Sequence, residues 1–203
     1  MAKVVISLSM SLDGFIAGPD DGPEYPLGRR GGDSIFNWYF SGDTSYKGTM
    51  FKPKDANREV VAEMFQQVGV MLTGRRTYEI ANGWNGTHPV NGIPVVILTH
   101  NPPTVVPKGK SQLVFVTDGI KSAVTTAEAL ANGKEVGIAG ASVAQQALSA
   151  GLVDELYLHV APILLGDGVR LFRSFEGGAI RLLAISSLAT DDTTHLRFKV
   201  LRN

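Results

Sequence analysis

Short apolar runs rich in β-branched residues recur along this chain, and segments with a helical spacing of apolar residues lie between them. Near-continuous hydrophobic runs are typical of strands that are buried on both faces of a sheet. Strands that alternate with helices favour a layered α/β fold. The runs predict strands over residues 4–10, 68–73, 94–99, 113–117, 135–139 and 156–161.

Helices are predicted where apolar residues recur at i, i+1, i+4 and i+5. This spacing occurs over residues 60–68 and 143–148 and, more weakly, over residues 123–131. The last third of the chain has a different character, with two extended runs at 180–188 and 196–202. The segment that joins them, Ala-Thr-Asp-Asp-Thr-Thr, is rich in turn residues, so we predict an antiparallel hairpin there.

These elements predict an α/β fold of the three-layer α/β/α sandwich type, with a mixed, mostly parallel sheet and an antiparallel C-terminal hairpin. We expect one domain over residues 1–203. The main alternative is a doubly wound parallel sheet, which requires residues 180–202 to be helical. Residues 19–58 resist regular assignment because they hold six Gly, four Pro and many charges, and we expect an irregular loop insertion there.

Composition narrows the class of protein further. The 203 residues hold 19 basic and 19 acidic side chains, and this balance offers no electrostatic footprint for nucleic acid. No stretch approaches the roughly 18 apolar residues of a membrane span. The absence of cysteine removes disulfides and thiolate nucleophiles and fits a reducing compartment, so we expect a cytoplasmic protein.

His88, His159 and His195 have no metal-ligand spacing, and we expect them at the surface or satisfied in the core, with no metal site.

Two glycine turns join a predicted strand to a predicted helix. The turn at Gly74 carries Arg75 and Arg76, and cations at a helix start oppose the helix dipole unless an anion lies among them. Residues 139–142 form a second turn, at which free N–H groups suit a phosphate. A third strand end at residues 98–101 offers a hydroxyl, an imidazole and an amide. Together they suit a dinucleotide, although small residues in tight turns and arginines in ion pairs also explain each site alone.

The second turn also permits a serine hydrolase. Ser142 lies between a predicted strand and a predicted helix, as a nucleophile elbow requires, and Asp167 and His195 follow in hydrolase order. Against this alternative, the last small position of the elbow is Ala144 rather than Gly, and no oxyanion loop is visible upstream. We keep the hydrolase as a competing hypothesis.

Motifs spread over nearly the whole chain carry a resemblance to a known family. They are Ser-Met-Ser-Leu-Asp-Gly-Phe-Ile-Ala at 9–17, Leu-Thr-Gly-Arg-Arg-Thr-Tyr-Glu at 72–79, Val-Val-Ile-Leu-Thr at 95–99, Gly-Ile-Ala-Gly-Ala-Ser-Val-Ala-Gln at 137–145, Gly-Leu-Val-Asp-Glu-Leu at 151–156, and Pro-Ile-Leu-Leu-Gly-Asp-Gly-Val-Arg-Leu-Phe at 162–172. The chain resembles the dihydrofolate reductase-like family. The resemblance is closer to the reductase domain at the C-terminus of bifunctional riboflavin-biosynthesis deaminase-reductases.

This resemblance implies that the cofactor is NADPH. Each part of the cofactor is then matched by a group of positions in this sequence. These are Ser9, Ile16 and Ala17 at the nicotinamide; Gly74, Arg75, Arg76 and Thr77 at the pyrophosphate and 2′-phosphate; Thr99 and His100 at the adenosine phosphate end; and Gly140, Ala141, Ser142 and Val143 at the pyrophosphate on a second helix terminus.

The implied activity is that of an NADPH-dependent oxidoreductase, which transfers hydride to a small heterocyclic or carbonyl substrate. Asp13 and Glu155 match polar positions near the substrate in the riboflavin-pathway relatives, and they are the predicted catalytic residues. The candidate proton donors are Asp13, Glu155 and an ordered water, in that order. We expect the insertion to close over the nicotinamide end through Phe36, Trp38 and Phe40, unless these rings only pin it to the core. A nucleotide-binding module without turnover is a further alternative.

The resemblance also implies a homodimer. Apolar residues concentrate at 156–161, 163–165 and 171–172, near the predicted hairpin. A small monomer does not normally expose that much contiguous apolar surface. In the resembling reductases this region mediates two-fold dimers, so we expect an isologous contact here.

Overall fold

In the described part of the chain, eight strands form one sheet and two further short strands pair with each other. The computed structural model describes residues 2–173 and 178–201. In chain order the elements are β1 (Val4–Ser11), β2 (Phe15–Ala17), a 3-10 helix (Gly32–Tyr39), α1 (Asp55–Gln67), β3 (Val68–Gly74), α2 (Arg75–Ile80), a second 3-10 helix (Asn82–Gly86), β4 (Val95–Leu98), β5 (Leu113–Val116), α3 (Ile120–Leu130), β6 (Glu135–Ala139), α4 (Ala141–Ser149), β7 (Glu155–Ala161), β8 (Val169–Arg170), β9 (Leu182–Ala189) and β10 (Thr194–Val200).

The sheet is parallel over most of its width. Its strand order is β5-β4-β3-β6-β1-β7-β10-β9, and only the pairs that include β10 are antiparallel among the described strands. β1 lies between β6 and β7, and β3 lies between β4 and β6, all in parallel register. Because the carboxyl ends of parallel strands meet at one edge, the turns after β3, β4 and β6 lie next to one another.

Alternating residues of the central strands contribute to two cores on opposite faces of the sheet. On one face, Val4 and Ile6 pack in a cluster that includes residues of α3 and α4. On the other face, Val5 packs with α1 and with Trp38. The chain therefore has three layers, with the sheet in the middle. Within the described residues, the helices are too short or too polar to cross a bilayer.

The predicted fold class is confirmed. Each predicted strand is present with bounds that differ by at most two residues among the described positions, and the three helical patterns correspond to α1, α3 and α4. Residues 182–189 and 194–200 form the predicted antiparallel hairpin, so the doubly wound alternative is wrong. Arg202, where the last predicted strand ends, lies outside the described residues. The short strands β2 and β8 and the two 3-10 helices were not predicted.

The insertion at residues 19–58 is fastened to the sheet by Trp38. This side chain is fully buried, and its Nε1 donates a hydrogen bond of 3.0 Å to the Ser9 hydroxyl. Its ring centroid lies 4.8 Å from that of His159 and 5.0 Å from that of His195. Trp38 therefore pins the insertion to the core, whereas Phe40 is 45% exposed.

The exposed apolar surface lies on β9 rather than where the sequence predicts it. All eight residues of this edge strand are exposed, including Leu183 and Ile185. The prediction that residues 156–161 and Leu171 present apolar surface is wrong, because β7 is buried along its whole length and Leu171 is fully buried. The side chains of β7 are covered because they alternate between the two cores, with Leu156 and Leu158 on one face and Tyr157 on the other, while Leu164 does remain exposed.

The anchoring role of Trp38 can be tested by truncation. Trp38→Ala removes a fully buried ring and its hydrogen bond, and we expect it to lower the free energy of unfolding by about 3–5 kcal/mol. Phe40→Ala, which truncates an exposed ring of the same insertion, should cost about 0.5 kcal/mol. Urea unfolding followed by circular dichroism measures both values. Equal losses in the two variants would contradict the anchor.

Candidate active site

A cleft of about 820 Å³ opens at the edge of the sheet where β3, β4 and β6 end. A space of this size lies within the range of pockets that bind cofactors and other small molecules. The insertion and β2 contribute the opposite wall. Twelve of the thirteen residues that the sequence predicts for cofactor binding line this cleft: Ile16, Ala17, Gly74, Arg75, Arg76, Thr77, Thr99, His100, Gly140, Ala141, Ser142 and Val143.

Ser9 is the predicted cofactor-binding residue that is not among the described lining residues. It is almost fully buried, and its hydroxyl accepts the hydrogen bond from Trp38. Successive side chains of a strand point to opposite faces, and the neighbouring Leu8 is the residue that lines the cleft. Ser9 therefore fastens the insertion on the other face of the sheet.

Gly140 gives the cleft a backbone surface that other residues do not allow. Its φ of 97° and ψ of 134° lie where L side chains are strained. A Cβ atom at this position would also lie 2.9 Å from the Thr77 hydroxyl oxygen. No side chain caps the first turn of α4, so its N–H groups are available to an anion in the cleft. This cradle fits the approach of a phosphate group to the backbone.

The charged side chains that line the described part of the cleft are mostly cations. Four arginines face one acid, and these five residues are Arg75, Arg76, Arg170, Arg173 and Asp21. A cluster of guanidinium groups repels itself unless anions are present, and guanidinium groups bind phosphates through charge-assisted hydrogen bonds. The cleft is therefore suited to a ligand with several negative charges.

Arg75 and Arg76 of α2 each form an ion pair within this protein, as predicted by the alternative interpretation that these arginines pair with acidic side chains. Arg75 Nε donates to Glu79 at 2.6 Å, and its Nη1 donates to the Asn101 carbonyl at 3.3 Å. Arg76 Nε donates to the Asp21 carboxylate at 2.8 Å. Both guanidinium groups remain half or more exposed and can reach a ligand as well.

Sequence reasoning did not select Asp21, Arg170 or Arg173 for the site. Arg170 Nη1 donates to the Asp13 carbonyl at 3.2 Å, and its guanidinium carbon lies 4.3 Å from the centroid of the Phe15 ring. The sequence signal that could have identified Arg170 is its position two residues after the Gly-Asp-Gly turn that ends at Gly168. Asp21 lies in the charged part of the insertion, where no local pattern distinguishes it from its neighbours.

Asp13 organises a loop beside the cleft. Its carboxylate accepts hydrogen bonds from the Ser11 hydroxyl at 2.6 Å and from the backbone N–H groups of Leu165 and Gly166 at 3.1 and 2.7 Å. Desolvation raises the pKa of Asp13, but these hydrogen bonds outweigh it and lower the pKa to about 2. An ionised carboxylate with three donors is a poor proton donor at neutral pH, so these contacts favour a positioning role.

Glu155 lies at the wrong end of the sheet for the predicted catalytic role. It is the first residue of β7, and six residue steps to Ala161 span about 20 Å. Its carboxylate pairs with Lys3 Nζ and with Arg197 Nε, each at 2.7 Å. Burial raises the pKa of Glu155, but the hydrogen bonds from Lys3 and Arg197 outweigh it and lower the pKa. The structure therefore does not support Glu155 as a proton donor, because it belongs to an ion-pair network remote from the cleft.

The serine hydrolase alternative fails on geometry. Ser142 Oγ lies at the start of α4 and accepts a hydrogen bond of 3.2 Å from Gln146 Nε2. Asp167 accepts a hydrogen bond from the N–H group of Gly168 within a turn. His195 is buried on the face of the sheet that Trp38 covers. No two of the three triad candidates are in contact among the described hydrogen bonds, so this arrangement cannot activate Ser142.

A buried chain of hydrogen bonds explains two of the three buried histidines, His159 and His195. It runs from Ser7 Oγ to His159 Nε2 at 3.4 Å, from His159 Nδ1 to His195 Nδ1 at 2.7 Å, from His195 Nε2 to Asn57 Oδ1 at 2.9 Å, and from Asn57 Nδ2 to Asp192 at 2.6 Å. One direction of donation satisfies every step, with both rings neutral and protonated once. An added proton on His195 Nδ1 would face the N–H group of His159, so that two donors would meet. These histidines are therefore satisfied in the core.

Comparison with known proteins places these features in a family. A family model described as the RibD C-terminal domain matches residues 2–196. Among curated proteins, the "Uncharacterized protein YwjB" of Bacillus subtilis (strain 168) is 25% identical over 171 residues, which is 84% of this chain and 82% of that protein. Both matches extend over most of the chain.

Solved structures share the fold. A "Putative riboflavin biosynthesis protein" from Shewanella sp. PV-4 matches over 100% of both chains, with a TM-score of 0.70 and 24% identity. A diaminohydroxyphosphoribosylaminopyrimidine deaminase/5-amino-6-(5-phosphoribosylamino)uracil reductase from Thermotoga maritima matches with a TM-score of 0.64 and 13% identity. That match covers 98% of this chain and 57% of the Thermotoga chain, so this chain spans little more than half of that protein.

The buried histidines predict a specific loss of stability in acid. Burial lowers the pKa of His195 to about 4, and burial together with His195 lowers the pKa of His159 well below its usual value. Between pH 6.5 and 4 the unfolded chain therefore binds more protons, and the free energy of unfolding falls as pH falls, by up to about 1.4 kcal/mol per pH unit for each histidine. Urea unfolding across this range measures the slope.

The contribution of one histidine can be isolated by substitution. We expect His195→Gln to reduce the slope between pH 6.5 and 4, because this variant has one buried imidazole fewer to protonate on unfolding. His100→Gln removes an exposed imidazole and should keep the wild-type slope. An unchanged slope in His195→Gln would contradict the neutral buried pair.

Proposed function

Since this chain belongs to the family of RibD C-terminal domains, we propose that it is an NADPH-dependent reductase that transfers hydride to a small heterocyclic or carbonyl substrate. The observation that carries the proposal is the cleft, where three strand ends bring most of the predicted cofactor residues to one basic space. The Thermotoga relative is by its name a reductase of a phosphoribosylaminouracil, which supports the reaction class.

The chain would bind the phosphates of the cofactor with charges and backbone N–H groups. Arg75 and Arg76 supply guanidinium groups after the end of β3, and the uncapped start of α4 supplies N–H groups after the neighbouring end of β6. Thr77 contributes a hydroxyl to the cleft, and its oxygen lies 2.9 Å from where a Cβ atom at position 140 would be. A dinucleotide with an additional phosphate matches this distribution of donors.

The apolar end of the cleft would orient the reacting ring and exclude water. Leu8, Ile16, Ala17 and Phe36 line this part and carry no titratable group. A nicotinamide held there would supply the hydride, and water would supply the proton for the adjacent heteroatom of the substrate. Asp13 supports the reaction indirectly, because its ionised carboxylate holds the loop at residues 163–166 in place.

The proposal is tested by titration of the protein with NADPH and with NADH, followed through tryptophan fluorescence. We expect saturable binding of NADPH, and oxidation of NADPH in the presence of a suitable heterocyclic or carbonyl substrate. Failure to bind either nucleotide would overturn the reductase. Binding without oxidation across a broad substrate panel would favour a nucleotide-binding module.

Cofactor selectivity gives a quantitative prediction. Replacing both Arg75 and Arg76 with Ala removes two guanidinium groups from the cleft. A hydrogen bond between charged groups contributes about 1.5–3 kcal/mol, so each lost contact to the 2′-phosphate should weaken NADPH binding by about tenfold or more. NADH, which lacks this phosphate, should be affected far less.

A matched control removes two positive charges elsewhere. Lys134 and Lys199 are exposed at the opposite edge of the sheet, before β6 and near the end of β10. Replacing both with Ala should leave the preference for NADPH unchanged. Equal weakening of NADPH and NADH in the arginine variant would place these side chains on the pyrophosphate or outside the site.

We also propose that the protein forms an isologous homodimer, through β9 rather than through the buried residues that the sequence suggests. β9 lies at the edge of the eight-stranded sheet and exposes Leu182, Leu183, Ile185 and Leu188. An edge strand offers unpaired backbone groups, and an apolar patch on it is a typical contact surface. A two-fold axis beside β9 would cover this patch in both copies.

Light scattering tests the dimer. The wild-type protein should have a mass of about 43 kDa, twice the 21.7 kDa of one chain. Leu183→Glu combined with Ile185→Glu places charges on the exposed edge strand and should give the monomer. Val105→Glu, at a side chain that is 82% exposed in a loop, should remain a dimer. A wild-type mass of one chain at micromolar concentration would contradict the proposal.

A further inference from the structure

The first part of the insertion is a compact loop whose hydrogen bonds close within it. Gly18 N–H donates to the Leu27 carbonyl at 2.9 Å, and Arg29 N–H donates to the Pro19 carbonyl at 2.7 Å. At Gly28, φ is 76° and the backbone packs directly on Gly18, where a Cβ atom would collide. Residues 18–32 therefore hold their own shape.

One described ion pair joins this loop to the helix on the far side of the cleft. Arg76 Nε lies 2.8 Å from Asp21 Oδ2, and Arg76 Nη2 lies 2.6 Å from Asp21 Oδ1. This is the bidentate geometry in which a guanidinium group binds a carboxylate or a phosphate. The Asp21 side chain is 12% exposed, whereas that of Arg76 is 65% exposed, so the carboxylate is held on the inner side of the pair.

A phosphate and the Asp21 carboxylate cannot both occupy this edge of Arg76. The pair uses Nε and Nη2, which form the edge that recognises two oxygens at once. A phosphate placed there next to the carboxylate would meet an uncompensated like charge within hydrogen-bond distance. Arg76 can therefore take a phosphate in this mode only if Asp21 leaves.

We propose that Asp21 sets the preference between NADPH and NADH, because its carboxylate competes with the 2′-phosphate for Arg76. This inference rests on the proposed function and adds a residue that opposes the phosphorylated cofactor. None of the described backbone hydrogen bonds that close the loop at residues 18–32 involves Arg76, so release of Asp21 breaks the ion pair and the hydrogen bond from Arg76 Nη2 to the Asp21 carbonyl, but not the loop.

The test compares Asp21→Asn with Asp20→Asn. Both variants remove one negative charge from adjacent positions, but Asp20 is exposed and makes no ion pair among the described residues. We expect Asp21→Asn to raise NADPH affinity by about two- to fivefold, the equivalent of a partly exposed ion pair, with NADH affinity nearly unchanged. Asp20→Asn should leave the affinities for NADPH and for NADH unchanged. Fluorescence titration at a fixed salt concentration measures the affinities of the wild type and of both variants for NADPH and for NADH.

The competition between the carboxylate and the phosphate can be isolated by repeating the Asp21 substitution in a variant that lacks the Arg76 guanidinium group. In Arg76→Gln the residue for which the two anions compete is gone, so adding Asp21→Asn should no longer alter NADPH affinity. Equal effects of Asp21→Asn and Asp20→Asn would overturn the inference in favour of general electrostatics. Weaker binding of both cofactors in Asp21→Asn would also overturn it, because the pair would then close the cleft over its ligand.

The outcomes separate this inference from the proposed function. If the wild type binds NADPH and Asp21→Asn has the same selectivity, the inference alone fails. If neither the wild type nor any variant binds either nucleotide, the proposed function fails and the inference with it. Tighter NADPH binding in Asp21→Asn, abolished in the Arg76→Gln background, supports both.

Discussion

Parallel register at the centre of the sheet is the constraint on which the rest of the structure depends. Because β3, β4 and β6 end at the same edge, turns that are far apart in sequence become neighbours in space. Gly74 and Gly140 then lie beside each other in the cleft, because Thr73 pairs with Ala139, and the basic side chains of α2 also line it. A shift of one strand by a single residue would move its polar end out of this group and its apolar residues to the wrong face.

One face of the sheet is covered and satisfied internally, whereas the edge at which β3, β4 and β6 end is open to a ligand. One face is closed by Trp38, which covers a polar chain through His159 and His195 whose donors and acceptors are all matched. Buried polar groups of this kind stabilise a fold only when every member is paired, and they leave nothing for a ligand. The edge of the sheet is open, and there Arg170 and Arg173 add cations to those of α2. Ligand chemistry is thus confined to the edge.

The sequence was most informative where local physics decides the outcome. Buried strands, apolar helix faces and glycine turns each depend on a few neighbouring residues, so the fold, the family and the position of the cleft could be predicted. Ser9 and Glu155 show the limit, because matching motifs do not say which face of β1 a side chain takes or at which end of β7 it lies. The partners of Asp13 and Arg76 depend on loops 152 and 55 positions away in sequence, and no short pattern encodes such contacts.

The closed hydrogen bonding of residues 18–32 divides that loop into two parts with different tolerance to sequence change. Gly18 and Gly28 form its base, where the two backbones touch and any side chain would collide. The tip at residues 20–24 makes few backbone contacts with the remainder of the fold. Mutational drift and laboratory libraries can therefore vary the tip while the base keeps its path. Sequence changes in the tip can therefore alter which ligands the cleft prefers, while the base of the loop and the sheet keep their structure.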